Sequence, residues 1–438
     1  MANSMRPFDV AVIGGGVAGL SAASALAERG ARVVVLEARP DLGGRTATFT
    51  DPVTDERADN GQHILMGCYT ETFAFLTRVG AGVELQANLT MDVVDLEGRS
   101  TRLACPTLPS PLHLLAGLLR WDALGTRDRL SALRMAARGS PGPAETVSGW
   151  LARLGQSPRL VELLWEPLAV AALNQPISVA AAAPFAAVLE RVLRSRTSSA
   201  LGLPAVPLGD LFARSSQAFI EGRGGSVWLG ARADLSFAAD QRATLVARGE
   251  DVPAQAIVVA VEWHALSRLC PNPPAALRDV WDAAGATPAS AIVSAHAWFD
   301  RRVMHVPFCG LPGRQWQWAF DVGAGWGGRS SHVSVTASAA DEMVQWTNEE
   351  LSASALATVR DVFPLAQDAA VRRVAVIRER RATFSVAPGV PPRPDNSTRV
   401  PGLFLAGDWI GNPLPATIEG AAASGHRAAA LAAKYLNL

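Results

Sequence analysis

The chain is poor in several things, and each shortage removes a class of function. Net charge is the first. Forty basic residues meet 40 acidic ones across 438 positions, so there is no general positive field for nucleic acid. Charged residues are 18% of the chain and hydrophobic residues 49%, where a soluble domain carries about a quarter charged. Part of that excess is alanine. The rest suits a large apolar cavity or a surface that touches membrane. Cysteine is sparse and scattered: Cys68, Cys105, Cys270 and Cys309 form no CxxC and no Cys/His spacing, so neither a zinc site nor a redox pair is predicted. Reduced thiols in a cytoplasm are the simplest reading. The seven histidines make no HExxH pair. No apolar run is long enough to span a bilayer. The apolar stretch "VAVIGGGVAGLSAASAL" is broken by glycines and lacks a basic flank and a cleavage site, so it reads as strand, turn and helix rather than a signal peptide. Tyrosine is limited to Tyr69 and Tyr435, and lysine to Lys434. A GC-rich genome would explain that arginine bias, but the missing lysines also bear on chemistry.

What is present begins with a βαβ unit, "FDVAVIGGGVAGLSAASALAERGARVVVLEA". Val10 to Ile13 is a short, wholly apolar strand of the parallel-sheet kind. The glycines Gly14, Gly16 and Gly19 follow it and open an alanine-rich helix predicted over 17–29, with Gly30 at its C-terminal cap. The next strand, Val33 to Leu36, ends on Glu37. In this pattern the first glycine permits the tight turn, the second lets backbone approach a pyrophosphate, and the third lets helix pack on strand. The helix N-terminus offers free N–H groups to the phosphates. Glu37 stands where a carboxylate can accept from ribose hydroxyls. A dinucleotide is therefore expected.

Further along, helices are predicted over 146–200. Short strands return around Glu221 to Phe237, and "AQAIVVAVEW" is another buried strand. Strands alternate over 285–380 with a helix near Asp341 to Val362. The end is strand, loop and long helix. "PGVPPRPDNS" is the one loop-like proline cluster. Elements that cross back and forth suit two interleaved domains better than two in series.

Two blocks decide which dinucleotide. "EARPDLGGR" adds Ala38, Arg39, Gly43, Gly44 and Arg45 near the pyrophosphate. Far downstream "LFLAGDW" ends a strand on Gly407 and Asp408, and "PATIEGAAASG" opens a helix. The set resembles the GR2-type flavoproteins of the amine oxidase and carotenoid desaturase superfamily. That resemblance implies FAD, with Asp408 on the ribityl or phosphate and the amides of Thr417 and Ile418 facing the flavin. No cysteine lies in the C-terminal segment where covalent members attach flavin, so the FAD is expected to be non-covalent. Amine oxidases of this fold use a lysine at the flavin. The only lysine here comes late in the last helix, so amine oxidation is disfavoured.

The stretch "DNGQHILMGCY" (Asp59 to Tyr69) resembles the corresponding segment of plant-type phytoene desaturases, and more closely that of the bacterial squalene-associated FAD enzymes, the hydroxysqualene dehydroxylases. "WEPLAVAALNQP" and "LAGDWIGNPLPATIEGA" resemble that group too, although "IGNPLPAT" departs from a more polar pattern. The matching blocks cover about residues 8–70, 163–180 and 393–430. The resemblance implies reductive dehydroxylation of hydroxysqualene to squalene in hopanoid or related triterpenoid synthesis, with an isoprenoid lipid as substrate and an unidentified electron donor. The alternatives are a carotenoid desaturase or isomerase, a flavin amine oxidase, and a flavin-free prenyl carrier. An allylic hydroxyl needs an acid or hydrogen-bond donor to leave. His63 with Asp59 is the candidate catalytic pair, and Asn174 a second candidate. Two readings stay open: His63 and Asn60, with Gly61, could equally contact flavin or hold the turn, and Asn174 could be a turn residue.

"PTLPSPLHLLAGLLRW" (Pro106 to Trp121) is apolar, too short to span and tipped by Trp121. Arg120, Arg127, Arg129, Arg134 and Arg138 follow. The pattern suits an interfacial element on an anionic leaflet, and an ordinary buried helix pair is the rival reading. The expected organisation is α/β: a GR2-type FAD-binding Rossmann-like domain from residues 1–75, 215–270 and 385–438, interleaved with a mixed α+β substrate domain from 76–214 and 271–384. The membrane-contact segment would be 106–138. The expected location is cytoplasmic, with peripheral contact on the inner face of the cytoplasmic membrane.

Overall fold

The computed structural model describes residues 7–135, 139–238, 242–327 and 331–438. Five parallel strands form one sheet, in the order Leu403–Leu405, Ala254–Val259, Phe8–Ile13, Val33–Leu36 and Ser226–Trp228. Its sequences are almost wholly apolar because both faces are covered. Val10, Val12, Val33 and Val35 pack under the opening helix, Val17–Glu28, and the closing helix, Ile418–Leu436. Ala11, Ile13, Val34 and Leu36 face the opposite core. The two helices meet closely. Ser21 Oγ donates to the Ala422 carbonyl at 3.0 Å, and a Cβ on Gly425 would lie 2.3 Å from the Ala18 carbonyl oxygen.

The second sheet has seven strands: Val371–Phe384, Ala289–Phe299, Ser331–Ala337, Trp318–Asp321, Phe308–Gly310, Thr90–Val94 and Ser100–Ala104. All its pairings are antiparallel except Phe308–Gly310 with Thr90–Val94. The helix Asn348–Val362 covers one face through Leu351, Ala355 and Val359 on Val293, Val333 and Val335. Phe308, Trp318, Phe320 and Thr336 belong to the wall of the cavity described below. The five-stranded sheet draws its strands from residues 8–36, 226–259 and 403–405, and the seven-stranded sheet from 90–104 and 289–384.

The helix expected near Asp341 starts later, at Asn348, because Thr347 caps it with Glu350 in a reciprocal box. Asp341 instead accepts from Ala291 N (2.8 Å) and Ser290 Oγ (3.2 Å), which ties it to the neighbouring strand.

The segment 106–138 fits neither sequence reading as a whole. Its helices are Leu112–Arg120 and Thr126–Arg134. His113 and Gly117 face inward, His113 sharing a 2.7 Å hydrogen bond with Ser199 Oγ. Leu114, Leu115 and Leu118 line the cavity. Leu112, Leu119, Leu130 and Leu133 are 52%, 40%, 56% and 41% exposed. Trp121 is not an exposed tip. It is buried, and its indole N–H donates to Thr101 Oγ1 at 3.1 Å. Arg129 and Arg134 are engaged by the carbonyls of Trp121 and Gly155, while Arg120 and Arg127 are exposed. Arg138 lies outside the described residues. Among the described residues no helix is long and apolar enough to cross a membrane. All four cysteines are buried and unpaired.

Candidate functional site

One cavity of about 970 Å³ runs from the glycine turn to the leucines of Leu112–Arg120. At the turn, Gly14 has φ of +108°, and a Cβ there would lie 2.5 Å from the Ala260 carbonyl oxygen. A Cβ on Gly19 would lie 1.9 Å from the Gly14 carbonyl oxygen, so the helix can start against the turn only without one. Nothing lies within 4 Å of a Cβ built on Gly16; that open space is what a diphosphate needs. Gly43 N donates to the Gly15 carbonyl at 2.8 Å, which folds the "DLGGR" loop over the turn. Glu37 is aimed by the backbone: one carboxylate oxygen accepts from Gly15 N (2.7 Å) and the other from Arg39 N (2.8 Å). Each keeps lone-pair capacity for a ribose hydroxyl.

Arg45 crosses the cavity floor to Asp408, at 2.8 Å, and donates to the Ala382 carbonyl at 2.6 Å. Burial works against its charge, but Asp408, Glu262 and Glu379 outweigh that and raise its pKa above the ordinary value. Thr417 caps the closing helix by accepting from Gly420 N at 3.0 Å. Its N-terminus, with Ile418, opens on the same cavity. Gly14, Gly16, Glu37, Ala38, Arg39, Gly43, Gly44, Arg45, Asn60, Gly61, Gly407, Asp408, Thr417 and Ile418 all line this space, and Gly19 supports it from behind. A cavity that takes in the open Gly16 turn, the aimed Glu37 carboxylate and the N-termini of two helices fits a dinucleotide that carries a flavin.

The candidate catalytic residues fall apart. Asp59 does not pair with His63 and does not line the cavity. It is buried against the Thr48 hydroxyl and Leu208 N. Burial raises its pKa to about 7, against the lowering effect of those hydrogen bonds. Alternation explains the separation: Asp59 ends the strand Arg57–Asp59, and the chain turns before His63. Asn174 borders the cavity, but its amide is engaged. It donates to the Ser290 carbonyl (3.2 Å) and Thr383 Oγ1 (3.0 Å) and accepts from Ala339 N (2.7 Å). With φ of +51° it ends the helix Glu166–Leu173, so the turn reading describes it. His63 does line the cavity. Its Nδ1 lies 2.9 Å from the Gly61 carbonyl, which accepts, so Nδ1 carries the proton and Nε2 is left as an acceptor in the neutral ring. Burial first, then the Arg45 charge, lowers its pKa. His63 is thus poised as a neutral acceptor, not as a ready acid.

Several residues of this site were not singled out from sequence. Glu379 accepts from Asn60 Nδ2 at 3.2 Å, and burial raises its pKa. Glu262 pairs with His264 at 2.9 Å and approaches Arg45. Gln62 lines the cavity with its side-chain N–H₂ unpartnered among the described residues. Glu419, fully buried in the first turn of the closing helix, accepts from Glu71 N (3.1 Å), Thr72 N (2.9 Å) and Thr72 Oγ1 (2.8 Å). The signal for Glu419 was in the "TIEG" block, as an acid beside a helix start. Glu262 and Glu379 carry no local signal, since only the packing of the two sheets brings them here. The loop "IGNPLPAT" is held by Arg393, which donates to the carbonyls of Leu414 (2.7 Å) and Asn412.

Residues 17–433 match the family described as flavin containing amine oxidoreductase. A hydroxysqualene dehydroxylase of Rhodopseudomonas palustris is 31% identical over 96% of this chain and 97% of its own. One of Zymomonas mobilis is 28% identical over 97% and 99%. The 15-cis-phytoene desaturase of Glycine max is 24% identical over 96% of this chain and 78% of its own. Among solved structures, cyclohexylamine oxidase of Brevibacterium oxydans superposes with a TM-score of 0.72 at 18% identity, over 99% of this chain and 100% of that one; this is likeness of fold. The chain therefore belongs, alongside these hydroxysqualene dehydroxylases, to the flavin containing amine oxidoreductase family, and it is an FAD-dependent oxidoreductase.

Proposed function

We propose that this flavoenzyme removes the hydroxyl of hydroxysqualene and releases squalene and water. The observation that carries the reading is the shape of the cavity: one continuous space joins the dinucleotide cradle to a wall of Leu89, Met91, Leu103, Leu114, Leu115 and Leu118. A long hydrocarbon can lie along that wall with its functional group at the cofactor end. The full-length likeness to hydroxysqualene dehydroxylases supports it. Lys434 is exposed near the far end of the closing helix, which does not favour amine oxidation.

Bound FAD, once reduced, supplies a hydride. The chain's own part is to exclude water, hold the lipid and manage the hydroxyl. The apolar wall does the first two and leaves the departing oxygen few partners. Among the described residues, His63, the unpartnered Gln62 amide and Tyr69 are polar groups that line the cavity from the Asp59–Tyr69 stretch. Gln62 can donate to the oxygen, and His63 can accept a proton from it or from water. Glu37, Arg45, Asp408 and the N-terminus of the closing helix would hold the cofactor without a covalent bond. The lipid enters past Leu112–Arg120, whose exposed leucines and free Arg120 touch an anionic membrane surface.

The test is anaerobic. Reduced enzyme under argon should turn hydroxysqualene into squalene and end with oxidised flavin. Phytoene should leave oxidised enzyme unchanged. Reduction of the flavin by phytoene, with hydroxysqualene ignored, would establish the desaturase reading instead.

A further inference from the structure

Tyr69 is one of only two tyrosines in the chain, and it lines the cavity beside the N-terminus of the closing helix. Its hydroxyl takes no protein hydrogen bond among the described residues, whereas the backbone on both sides of it is fixed. Before it, Gly67 N donates to the Ala200 carbonyl at 2.8 Å, and a Cβ on Gly67 would lie 1.8 Å from the Thr197 carbonyl oxygen. After it, Glu71 N and Thr72 N are bound by the Glu419 carboxylate. Glu419 belongs to the first turn of the helix whose end faces the cofactor cradle. The ring packs beside Cys68, Val188, Val192 and Leu414. A fixed ring that presents an unpartnered hydroxyl to an apolar cavity lacks one thing, an oxygen to bond.

On the dehydroxylase reading above, we infer that Tyr69 is a catalytic residue: its phenol donates a hydrogen bond to the hydroxyl of the lipid and then gives it a proton as it leaves. The allylic C–O bond breaks with its electron pair going to oxygen. That oxygen takes the phenolic proton and departs as water. The allylic carbon takes the hydride that reduced flavin supplies, so carbon is reduced and flavin oxidised. Tyr69 recovers its proton from solvent after product leaves.

Four observations favour Tyr69 over the other polar groups. Burial, then Cys68 and Glu419, raise its pKa, so the phenol stays protonated where His63 is neutral and aims a lone pair. The carboxylate of Glu419 is consumed by the helix Thr70–Arg78 and by Arg191 at 3.7 Å. Asn174 has no free donor. Gln62 can bond the oxygen but has no proton to transfer.

Two measurements test this. In FAD-loaded Tyr69→Phe, single-turnover oxidation of reduced flavin by hydroxysqualene under argon should slow on the order of 10²-fold. Flavin content and reoxidation by oxygen should match wild type. Equal single-turnover rates at equal flavin content would overturn the inference. A wild-type enzyme inert to hydroxysqualene would instead sink the dehydroxylase reading. The second measurement needs no turnover. Tyr435→Phe leaves Tyr69 as the single tyrosine, so 3-fluorotyrosine incorporation puts one ¹⁹F reporter in the oxidised holoenzyme. Hydroxysqualene should shift that resonance away from the position squalene produces. Identical shifts with the two lipids would show that the phenol does not meet the hydroxyl.

Discussion

The two sheets are built on opposite rules. In the five-stranded parallel sheet the strands carry a single titratable residue, Asp9, and both faces are covered by packed side chains. Its specification is steric: glycines where backbone must touch backbone. The seven-stranded sheet is full of polar groups. His296 and His332 share a 2.8 Å hydrogen bond inside it, with Trp298 stacked on His332 at 4.2 Å. The arginine-rich strand Val371–Phe384 forms its edge. Beside the first sheet, a Cβ at Gly14 or Gly19 would strike backbone, whereas the second sheet depends on protonation and hydrogen bonding.

The largest effect should come from breaking the steric rule. Gly19→Ala places a Cβ 1.9 Å from a backbone oxygen, and neither partner is a flexible side chain. Purified protein should hold about a tenth or less of the wild-type flavin, read from its absorbance, because misfit in a packed core displaces backbone. Normal flavin content would show that the turn relaxes.

Asn174→Ala attacks the other rule. It removes three hydrogen bonds that join the helix Glu166–Leu173 to the seven-stranded sheet. It also leaves alanine in a left-handed conformation. At about 1 kcal/mol per bond and about 1 for the backbone, roughly 4 kcal/mol of stability should be lost by denaturant unfolding. Folded survivors should keep a wild-type flavin spectrum.

The pH dependence separates the sheets without a cavity or a clash. Burial lowers the His296 pKa to about 4, so its contribution is present above pH 6.5 and is lost as pH falls toward 4. The loss is up to roughly 3 kcal/mol. Asp59, which lies in a small hairpin near this sheet, runs the other way. Burial raises its pKa to about 7, so its contribution is present at acid pH and is lost as pH rises through 7. The two windows overlap between about pH 4 and 6.5 and act in opposite directions, so they offset each other in the wild type. Across that range melting temperature should rise more steeply with pH in Asp59→Asn and fall more steeply with pH in His296→Gln. An unchanged slope in His296→Gln would move that titration elsewhere.

The smallest effect is on the surface. Leu112→Ser with Leu130→Ser changes exposed leucines rather than cavity-lining ones. Each should weaken co-sedimentation with anionic liposomes by about 1–1.5 kcal/mol, with flavin content and melting temperature unchanged. Undiminished binding would place the lipid doorway on another face.

The same contrast explains what could be read from sequence. The parallel sheet announces itself because its signals are local: the strand Val33–Leu36 has the expected bounds, and Gly30 follows the helix with φ of +86°. Gly14, Gly16, Gly19 and Glu37 were legible because one short βαβ unit contains them. The catalytic end was not. Asp59 and His63 are four positions apart, yet the chain turns between them, so closeness in sequence misled. Glu262 and Glu379 were invisible because they approach Arg45 only after distant strands pack. The segment 106–138 could not be sorted by composition, since a single helix there gives leucines to the cavity and to solvent alike. The pairing of Thr90–Val94 with Phe308–Gly310, across two hundred residues, leaves no local mark.

The seam between the opening and closing helices has a consequence for how the protein is made. The opening helix, Val17–Glu28, leaves the ribosome well ahead of its main partner, Ile418–Leu436, with almost the whole of both sheets translated between them. At about 5–20 residues per second, the apolar flank around Ala18, Ser21 and Ala22 waits roughly 20 to 80 seconds for its cover. The nascent chain therefore carries a sticky, alanine-rich surface for all of that interval. A stop codon in place of Ile418 would leave the strands of both sheets in the polypeptide and that flank permanently bare.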